Sequence, residues 1–248
     1  MDDFLALDYP NNPFVIFGTP HLVALAVIAL IVFGLVRFGG RMSENQRKWF
    51  RYGVGTWLII NELSWHWWNW ATGQWTVQTM LPLHLCSILV FSTAFMLFTR
   101  SYFIFEFSYF LGIGAAIQAI LTPDLGIYGY PHFRFFQTFI SHGFIFISPF
   151  YMIFVEGYRP YWRSMVRTLV VLALYAIPVT ALNLLIGSNY LFTAHKPPTA
   201  SVLDMLGPWP FYLVVVVLIA LVTFFLLYLP WAVKDWRAGR VQRAATAP

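Results

Sequence analysis

The stretch LPLHLC, residues 81–86, contains the only cysteine of the chain and a histidine two residues before it. A cysteine thiolate is a strong nucleophile once a neighbouring base has taken its proton. On a helix, residues two apart point in different directions, so His84 cannot serve Cys86 directly. A base must therefore come from another segment. A free cysteine also behaves as a small buried hydrophobe, and that interpretation stays open.

Two further groups of polar residues have helical spacing. Glu62 and His66 are four residues apart, so they share a helix face and are expected to pair as a second shell around a site. Arg134, Gln137 and His142 recur at offsets of three and eight, which places them on one stripe with Ser141. A guanidinium matches phosphate oxygens bidentately, and an imidazole is a general base.

Each of these residues also has a structural interpretation. Arg134 could extend its guanidinium to lipid headgroups, and His132 could bind water or headgroups at the interface. His66 and His142 could each bond a carbonyl or hydroxyl of a neighbouring helix. The tryptophan-rich run SWHWWNW, residues 64–70, is typical of the aromatic belt of a membrane protein.

The composition indicates an integral membrane protein. Of the 248 residues, 59% are hydrophobic and only 10% are charged, whereas a soluble domain has about 25% charged residues. The apolar residues form blocks long enough to cross a bilayer. We predict an all-α fold, a single domain over residues 1–248, with seven transmembrane helices and a cytoplasmic tail at 232–248. The helices are predicted at about 20–37, 50–70, 82–99, 102–121, 135–155, 165–187 and 208–231.

The basic residues predict the orientation. Thirteen of the 15 lysines and arginines fall in one alternate set of loops and in the tail, and only Arg134 and Lys196 fall on the other side. Basic loops stay in the cytoplasm, so the C-terminus is predicted there and the N-terminus outside. Because these charges lie beside apolar segments, the net charge of +5 does not indicate nucleic-acid binding. We expect a multi-pass protein of the plasma membrane.

Cofactor chemistry is not favoured. A retinal Schiff base needs a lysine inside a helix, and the three lysines lie in loops or tails. Haem or zinc could in principle use His66, His84 and His142 by ligand type, but no short metal motif is present. One cysteine allows neither an internal disulfide nor a CxxC pair. We expect no cofactor and no metal.

The predicted topology gathers most polar groups of the helices in the outer leaflet. Ionisable groups inside a membrane are costly and usually mark a site in the bundle interior. We therefore expect an outward-opening polar cavity that is enclosed by the second to the sixth predicted helices. Its residues are Glu62, His66, His84, Cys86, Gln118, Thr122, His132, Arg134, Gln137, Ser141, His142 and Asn183.

Four motifs together resemble one family: LPLHLC, LGIGAAIQAILTPDL, PHFRFFQTFISHG and EGYRP. They are similar to the bacterial branch of the transmembrane protein 164-related integral membrane acyltransferases. The resemblance implies a seven-helix enzyme that moves a fatty acyl chain between glycerolipids through an acyl-thioester. Carried onto this sequence, it implies Cys86 as the nucleophile and His142 as the base. More distant relatives are lipid hydrolases with a Thr/His pair, which keeps Thr79, Thr93 and hydrolysis open.

The expected activity is acyl transfer from a phospholipid to a lysophospholipid in the outer half of the bilayer. Arg134, with Gln137 or His132, would hold the headgroup phosphate or the ester, and His84 or Gln137 would stabilise the oxyanion. Two alternatives use the same cavity. One is a lipid or quinone binding or transport protein, or a proton relay through Glu62 and His66. The other is a lipid ester hydrolase.

Overall fold

The computed structural model describes residues 3–197 and 202–245, and all regular structure in this part of the chain is helical. Seven long helices follow one another, joined by turns and three short 3₁₀ segments. They are α1 (Thr19–Phe38), α2 (Glu44–Ala71), α3 (Leu85–Thr99), α4 (Tyr102–Leu121), α5 (Phe133–Phe154), α6 (Trp162–Ile186) and α7 (Phe211–Ala245).

Local sequence explains several helix ends. α2 begins at a capping box, in which the Ser43 hydroxyl accepts the Gln46 N–H and the Gln46 side chain accepts the Ser43 N–H. α6 ends at Gly187, whose φ of 66° lies in the left-handed region that glycine tolerates. Inside α4, Ser108–Gly112 forms a π turn, a feature frequent at functional sites.

Several predicted boundaries are wrong. α2 begins at Glu44 and not at residue 50, because the capping box at Ser43 starts the helix before the apolar stretch. α3 begins at Leu85 and not at residue 82, because the chain turns at 81–84 and His84 is the N-cap, with φ −66° and ψ 150°. The last helix continues through most of the predicted tail, to Ala245, because Pro230 does not end it. Residues 246–248 of that tail lie outside the described residues.

Among the described residues, five helices are long and apolar enough to cross a membrane: α1, α4, α5, α6 and α7. α3 falls below that length with 15 residues, and α2 carries Asn61, Glu62 and charged first turns. Length and composition thus support five of the seven predicted crossings, and the crossing of α2 and α3 and the orientation of the termini stay predictions.

The helices divide into central and peripheral ones. In the most apolar stretch of α4 and of α5, 61% of the residues are buried, against 17% in α1 and 11% in α6 and in α7. The main core joins α2 to α5 through fully buried side chains such as Leu58, Leu97, Phe105 and Ile145. α2, α3 and α5 pack against one another, so side chains at matching heights on these helices can meet.

The N-terminal segment, residues 3–18, lies across one end of the bundle, which we call the N-side. Its backbone carbonyls accept hydrogen bonds from several elements: Phe4 from the Phe133 N–H (2.9 Å), Leu5 from the Trp68 indole (2.9 Å) and Leu7 from the Tyr128 hydroxyl (2.8 Å). These bonds tie the ends of α2 and α5 together, so the segment forms one wall of the N-side.

The opposite end, the C-side, is tied by a cluster around Glu156. Its carboxylate lies 3.6 Å from Arg51 of α2 and 3.7 Å from Arg100, which follows α3. The Tyr151 hydroxyl of α5 donates to the same carboxylate at 2.7 Å. The side chains of Arg51 and Glu156 are each only 8% exposed. One carboxylate therefore joins three helices.

We predict that Glu156→Ala lowers the free energy of unfolding by about 3–5 kcal/mol, because Arg51 is left as an uncompensated buried charge. Thermal unfolding in detergent measures this. Asp235→Ala is the matched control, since it breaks the Arg159–Asp235 pair of 2.7 Å, whose side chains are far more exposed. The control should shift the melting temperature much less. Equal shifts for the two variants would contradict a structural role for the Glu156 cluster.

Candidate functional site

A cavity of about 530 Å³ opens at the N-side, between the end of α2, the start of α5 and the loop that precedes α5. Its wall combines aromatic and charged side chains, among them Trp65, Trp68, Asp124, Tyr128 and Arg134. Leu7 of the N-terminal segment also contributes. An amphipathic ligand with a charged end fits such a lining.

Arg134 is the main cation of this cavity. Its guanidinium carbon lies 3.7 Å from the centre of the Trp65 ring, and Nη1 donates to Gln137 Oε1. The guanidinium also interacts electrostatically with Glu62. Asn61, beside Glu62 on α2, donates to the Gln137 carbonyl at 3.0 Å and so sets the height of α2 against α5. Arg134 is thus held in one orientation by two helices, as phosphate recognition requires.

His132 has a structural position. It is the fully buried N-cap of α5, and its Nδ1 accepts the Arg134 backbone N–H at 3.1 Å. Its Nε2 donates to the Ala6 carbonyl at 2.9 Å, because a carbonyl can only accept. Burial lowers the pKa of His132 and is the largest effect. The hydrogen bond to Ala6 raises this pKa, and the nearby Arg134 charge lowers it further. Both ring nitrogens are therefore used in fixing the start of α5 and the N-terminal segment.

His142 lies about two helical turns beyond Arg134 on α5. Its Nδ1 donates to the Thr138 carbonyl at 2.9 Å, since that oxygen can only accept. A neutral imidazole in this tautomer carries its lone pair on Nε2, the atom a general base needs. His142 also interacts electrostatically with Arg134, so it belongs to the same group of neighbours.

Cys86 is the second residue of α3 and is half-buried. The first turn of a helix carries unpaired N–H groups and a partial positive charge. Glu62 interacts electrostatically with the thiol, although among the described residues no hydrogen bond joins the two. Ser87, the next residue, reaches the same carboxylate with its hydroxyl. Among the described residues no hydrogen bond joins Cys86 to His84 or His142.

Glu62 and His66 pair on one face of α2 as the spacing predicts, with His66 Nε2 at 3.8 Å from Glu62 Oε1. The Trp75 indole donates to His66 Nδ1 at 3.2 Å. Because an indole N–H can only donate, Nδ1 is the bare nitrogen and the Nε2–H of the neutral ring faces Glu62. Glu62 itself is 3% exposed.

His84 faces away from this group. Its ring packs at 5.1 Å from Tyr190 and 5.2 Å from Phe192, both in the segment after α6. Cys86 instead interacts electrostatically with Glu62 of α2, so the two side chains of LPLHLC interact with different residues. The divergence expected from their spacing is present, although His84 is a cap residue and not a helical one.

Four contacts of the site were not predicted. Asn61, Trp65 and Ser87 touch Gln137, Arg134 and Glu62 respectively, and Trp75 fixes the His66 tautomer. A buried asparagine in an apolar helix was a usable signal for Asn61. The sequence contains no comparable signal for Ser87 or Trp75, because the contacts of these two residues depend on tertiary packing. In the described ranges, 3–197 and 202–245, no group of three His, Cys, Asp or Glu side chains could hold a metal ion.

The arrangement therefore has three parts at one end of the bundle. A cation, Arg134, lines a cavity, and a thiol lies at a helix start. A buried carboxylate, Glu62, interacts electrostatically with both and has the His66 imidazole at 3.8 Å. Such a set can bind a phosphate and move a proton to or from a nucleophile.

A family model described as the TMEM164 family matches residues 16–228, a range that includes Glu62, Cys86 and Arg134. Comparison with curated proteins and with solved structures gives no match. The family match confirms the relationship indicated by the four motifs and says nothing of the acyltransferase activity or of a bacterial branch. With the five apolar helices, it identifies a multi-pass membrane protein. The chain belongs to the TMEM164 family.

Proposed function

We propose that this protein is a membrane-embedded acyltransferase that moves a fatty acyl chain between glycerophospholipids through a thioester on Cys86. The observation that carries the proposal is the position of the only thiol of the sequence, at a helix start, at the same end as the Arg134 cavity and within electrostatic range of Glu62. A thiol needs both a proton acceptor and a bound ester before it can attack.

The reaction balances in two steps. The Cys86 thiol loses its proton to a neighbouring base, its sulfur bonds to the ester carbonyl carbon, and the carbon–oxygen bond breaks. The departing lysolipid alkoxide takes the proton. A second lysophospholipid then gives its hydroxyl proton to the base and attacks the thioester, and the thiol is restored. Water in place of that lysolipid would give hydrolysis, which is the second candidate reaction.

Two groups of the site can move this proton. His142 has a bare Nε2 in its assigned tautomer, and its role as base was the sequence prediction. Glu62 is a buried carboxylate that interacts electrostatically with the thiol. His132 is left out of the substrate-binding set, since both of its nitrogens are engaged. His84 packs against Tyr190 and Phe192 and so is a poorer oxyanion donor than Gln137 or Arg134.

Arg134 is the proposed phosphate ligand. It sits in the second position of α5, where the helix start adds further attraction for an anion. The Trp65 ring and Gln137 fix its planar guanidinium, so a phosphate can bind without further ordering of this side chain.

We propose that all seven helices cross the plasma membrane, with the N-side in the outer half of the bilayer and the C-side, where most basic residues lie, in the cytoplasm.

Cys86→Ala should abolish acyl exchange and remove a thioester adduct detectable by mass spectrometry. Loss of a covalent nucleophile is expected to cost on the order of 10³-fold or more in rate, as for other nucleophile deletions. The assay is acyl exchange between a phospholipid and a lysophospholipid in proteoliposomes. Ser92→Ala, on the same helix, is the control and should stay active. Full activity in folded Cys86→Ala protein would exclude the covalent mechanism and return the cavity to a binding or transport role.

Arg134→Gln should raise KM for the phospholipid about tenfold or more, with a smaller change in kcat, because a hydrogen bond to a charged group contributes roughly 1.5–3 kcal/mol. Arg134→Lys should recover only part of this, since an ammonium lacks the planar fork. Arg163→Gln, on the C-side, is the matched control. An unchanged KM in Arg134→Gln would mean that another group binds the headgroup.

A further inference from the structure

The proposed nucleophile lies in a stretch that the apolar core does not enclose. Residues 81–88 are all only half-buried, and the enclosed part of α3 begins at Leu89, which is 1% exposed. Cys86 therefore precedes the well-packed part of its own helix. Segments with few buried apolar contacts open locally more easily than the core does. The position of the thiol thus depends on whatever else holds this stretch.

The Tyr190 hydroxyl attaches the stretch to the turn that follows α6. It donates to the Val77 carbonyl at 2.7 Å and accepts the Leu81 N–H at 2.8 Å, so one oxygen joins two points of the chain before α3. The residue is fully buried, with 0% of its surface exposed. A hydroxyl whose donor and acceptor roles are both filled fixes its partners in distance and in direction.

Two further contacts continue this attachment up to α3. The Tyr175 hydroxyl of α6 donates to the Leu83 carbonyl at 2.9 Å. His84, the N-cap of α3, packs edge-on against the Tyr190 ring at 5.1 Å and lies 5.2 Å from the Phe192 ring. The chain is therefore held repeatedly by α6 and its following turn on its way to the first turn of α3.

The turn after α6 is itself fixed in an uncommon conformation. Leu191 and Phe192 have φ of 58° and 53°, a left-handed region that residues other than glycine rarely adopt. The buried Asn183 side chain holds this turn, because Nδ2 donates to the Tyr190 carbonyl at 2.8 Å and Oδ1 accepts the Tyr190 N–H at 2.8 Å. Strained residues persist only where their surroundings fix them. The Tyr190 backbone is thus fixed, and its hydroxyl can fix the chain before α3.

We propose that Tyr190 is a positioning residue for Cys86, which holds the thiol at the depth and in the direction that attack on an ester needs. This rests on the proposed acyl transfer. Arg134 binds the headgroup from α5, whereas the thiol reaches the ester from α3, so separate contacts place the two groups. Loss of the Tyr190 hydroxyl should therefore misplace the nucleophile and leave headgroup binding intact.

Tyr190→Phe keeps the ring that packs on His84 but removes both hydroxyl bonds. In acyl exchange, kcat should fall by about tenfold or more, because a small displacement of a reacting group is costly. KM for the phospholipid should stay close to the wild-type value, since Arg134 is untouched.

Alkylation of Cys86 by N-ethylmaleimide tests the same variant without any lipid. The chain has one cysteine, so all labelling reports on this thiol. In Tyr190→Phe the rate should rise by about tenfold, because local opening of the stretch no longer breaks two hydrogen bonds.

Tyr109→Phe is the matched control for a loss of overall stability. Tyr109 is also buried, and its hydroxyl also has two bonds: it donates to the Leu227 carbonyl at 2.7 Å and accepts the Trp231 indole N–H at 3.1 Å. These bonds join α4 to α7, away from the start of α3. The control should lower the melting temperature to a similar extent as Tyr190→Phe, with alkylation and kcat at wild-type values.

Tyr175→Phe tests the attachment with a milder change. It removes only the bond to the Leu83 carbonyl, so alkylation should be about threefold faster. If Tyr190→Phe does not fold, this variant decides, and a wild-type alkylation rate in it would overturn the proposal.

Several results would reject the role of Tyr190. An unchanged or slower alkylation rate in folded Tyr190→Phe would do so, as would an equal increase in Tyr109→Phe, because overall unfolding would then expose the thiol. A raised KM with an unchanged kcat would place Tyr190 in lipid binding instead. Full acyl exchange in Cys86→Ala would reject the covalent reaction, whereas faster alkylation in Tyr190→Phe would still show that this tyrosine holds the thiol in place.

Discussion

The cost of burying a carboxylate between apolar helices is the constraint on which this structure depends. Three acids are buried or nearly so, and each is compensated differently. Glu156 lies between Arg51 and Arg100, and Glu106 receives Arg167 at 2.6 Å. Glu62 has a histidine at 3.8 Å and an oxygen without a hydrogen bond. In an apolar bundle, the first two acids are explained by ion pairing and helix attachment, whereas no hydrogen bond or Arg pair compensates Oε1 of Glu62 in the described residues.

The position of that chemistry follows from how the N-side is built. The N-terminal segment supplies backbone carbonyls to His132, Trp68 and Tyr128, which fixes the start of α5 and the end of α2. Arg134 then stacks on Trp65 and bonds Gln137, whose own carbonyl receives Asn61. Apart from the Arg134–Gln137 bond, each contact joins residues far apart in sequence. Together they hold the cation of α5 in a fixed relation to α2, which carries the carboxylate Glu62.

The sequence predicted the helical elements better than their contacts. Apolar blocks placed α4 at its observed bounds, and the i,i+4 spacing predicted the Glu62–His66 pair. The predicted start of α3 at residue 82 was wrong because a proline such as Pro82 suits the first turn of a helix and also the non-helical chain reversal before one. The neighbours of Cys86 could not be read from spacing, since they depend on how α2 packs against α3. The same reason hid Trp75, whose indole sets the His66 tautomer from a loop.

The division between central and peripheral helices bears on how a lipid reaches the site. α1, α6 and α7 expose most of their apolar surface, whereas α4 and α5 are largely enclosed. Cys86, Glu62 and Arg134 lie on α3, α2 and α5, so they are inside the bundle but near its N-side rim. In the proposed reaction, the acyl chain of the lipid would stay beside the apolar surface of the peripheral helices while its headgroup binds Arg134. The ester that joins these two parts would then have to reach Cys86 at the same end of the bundle.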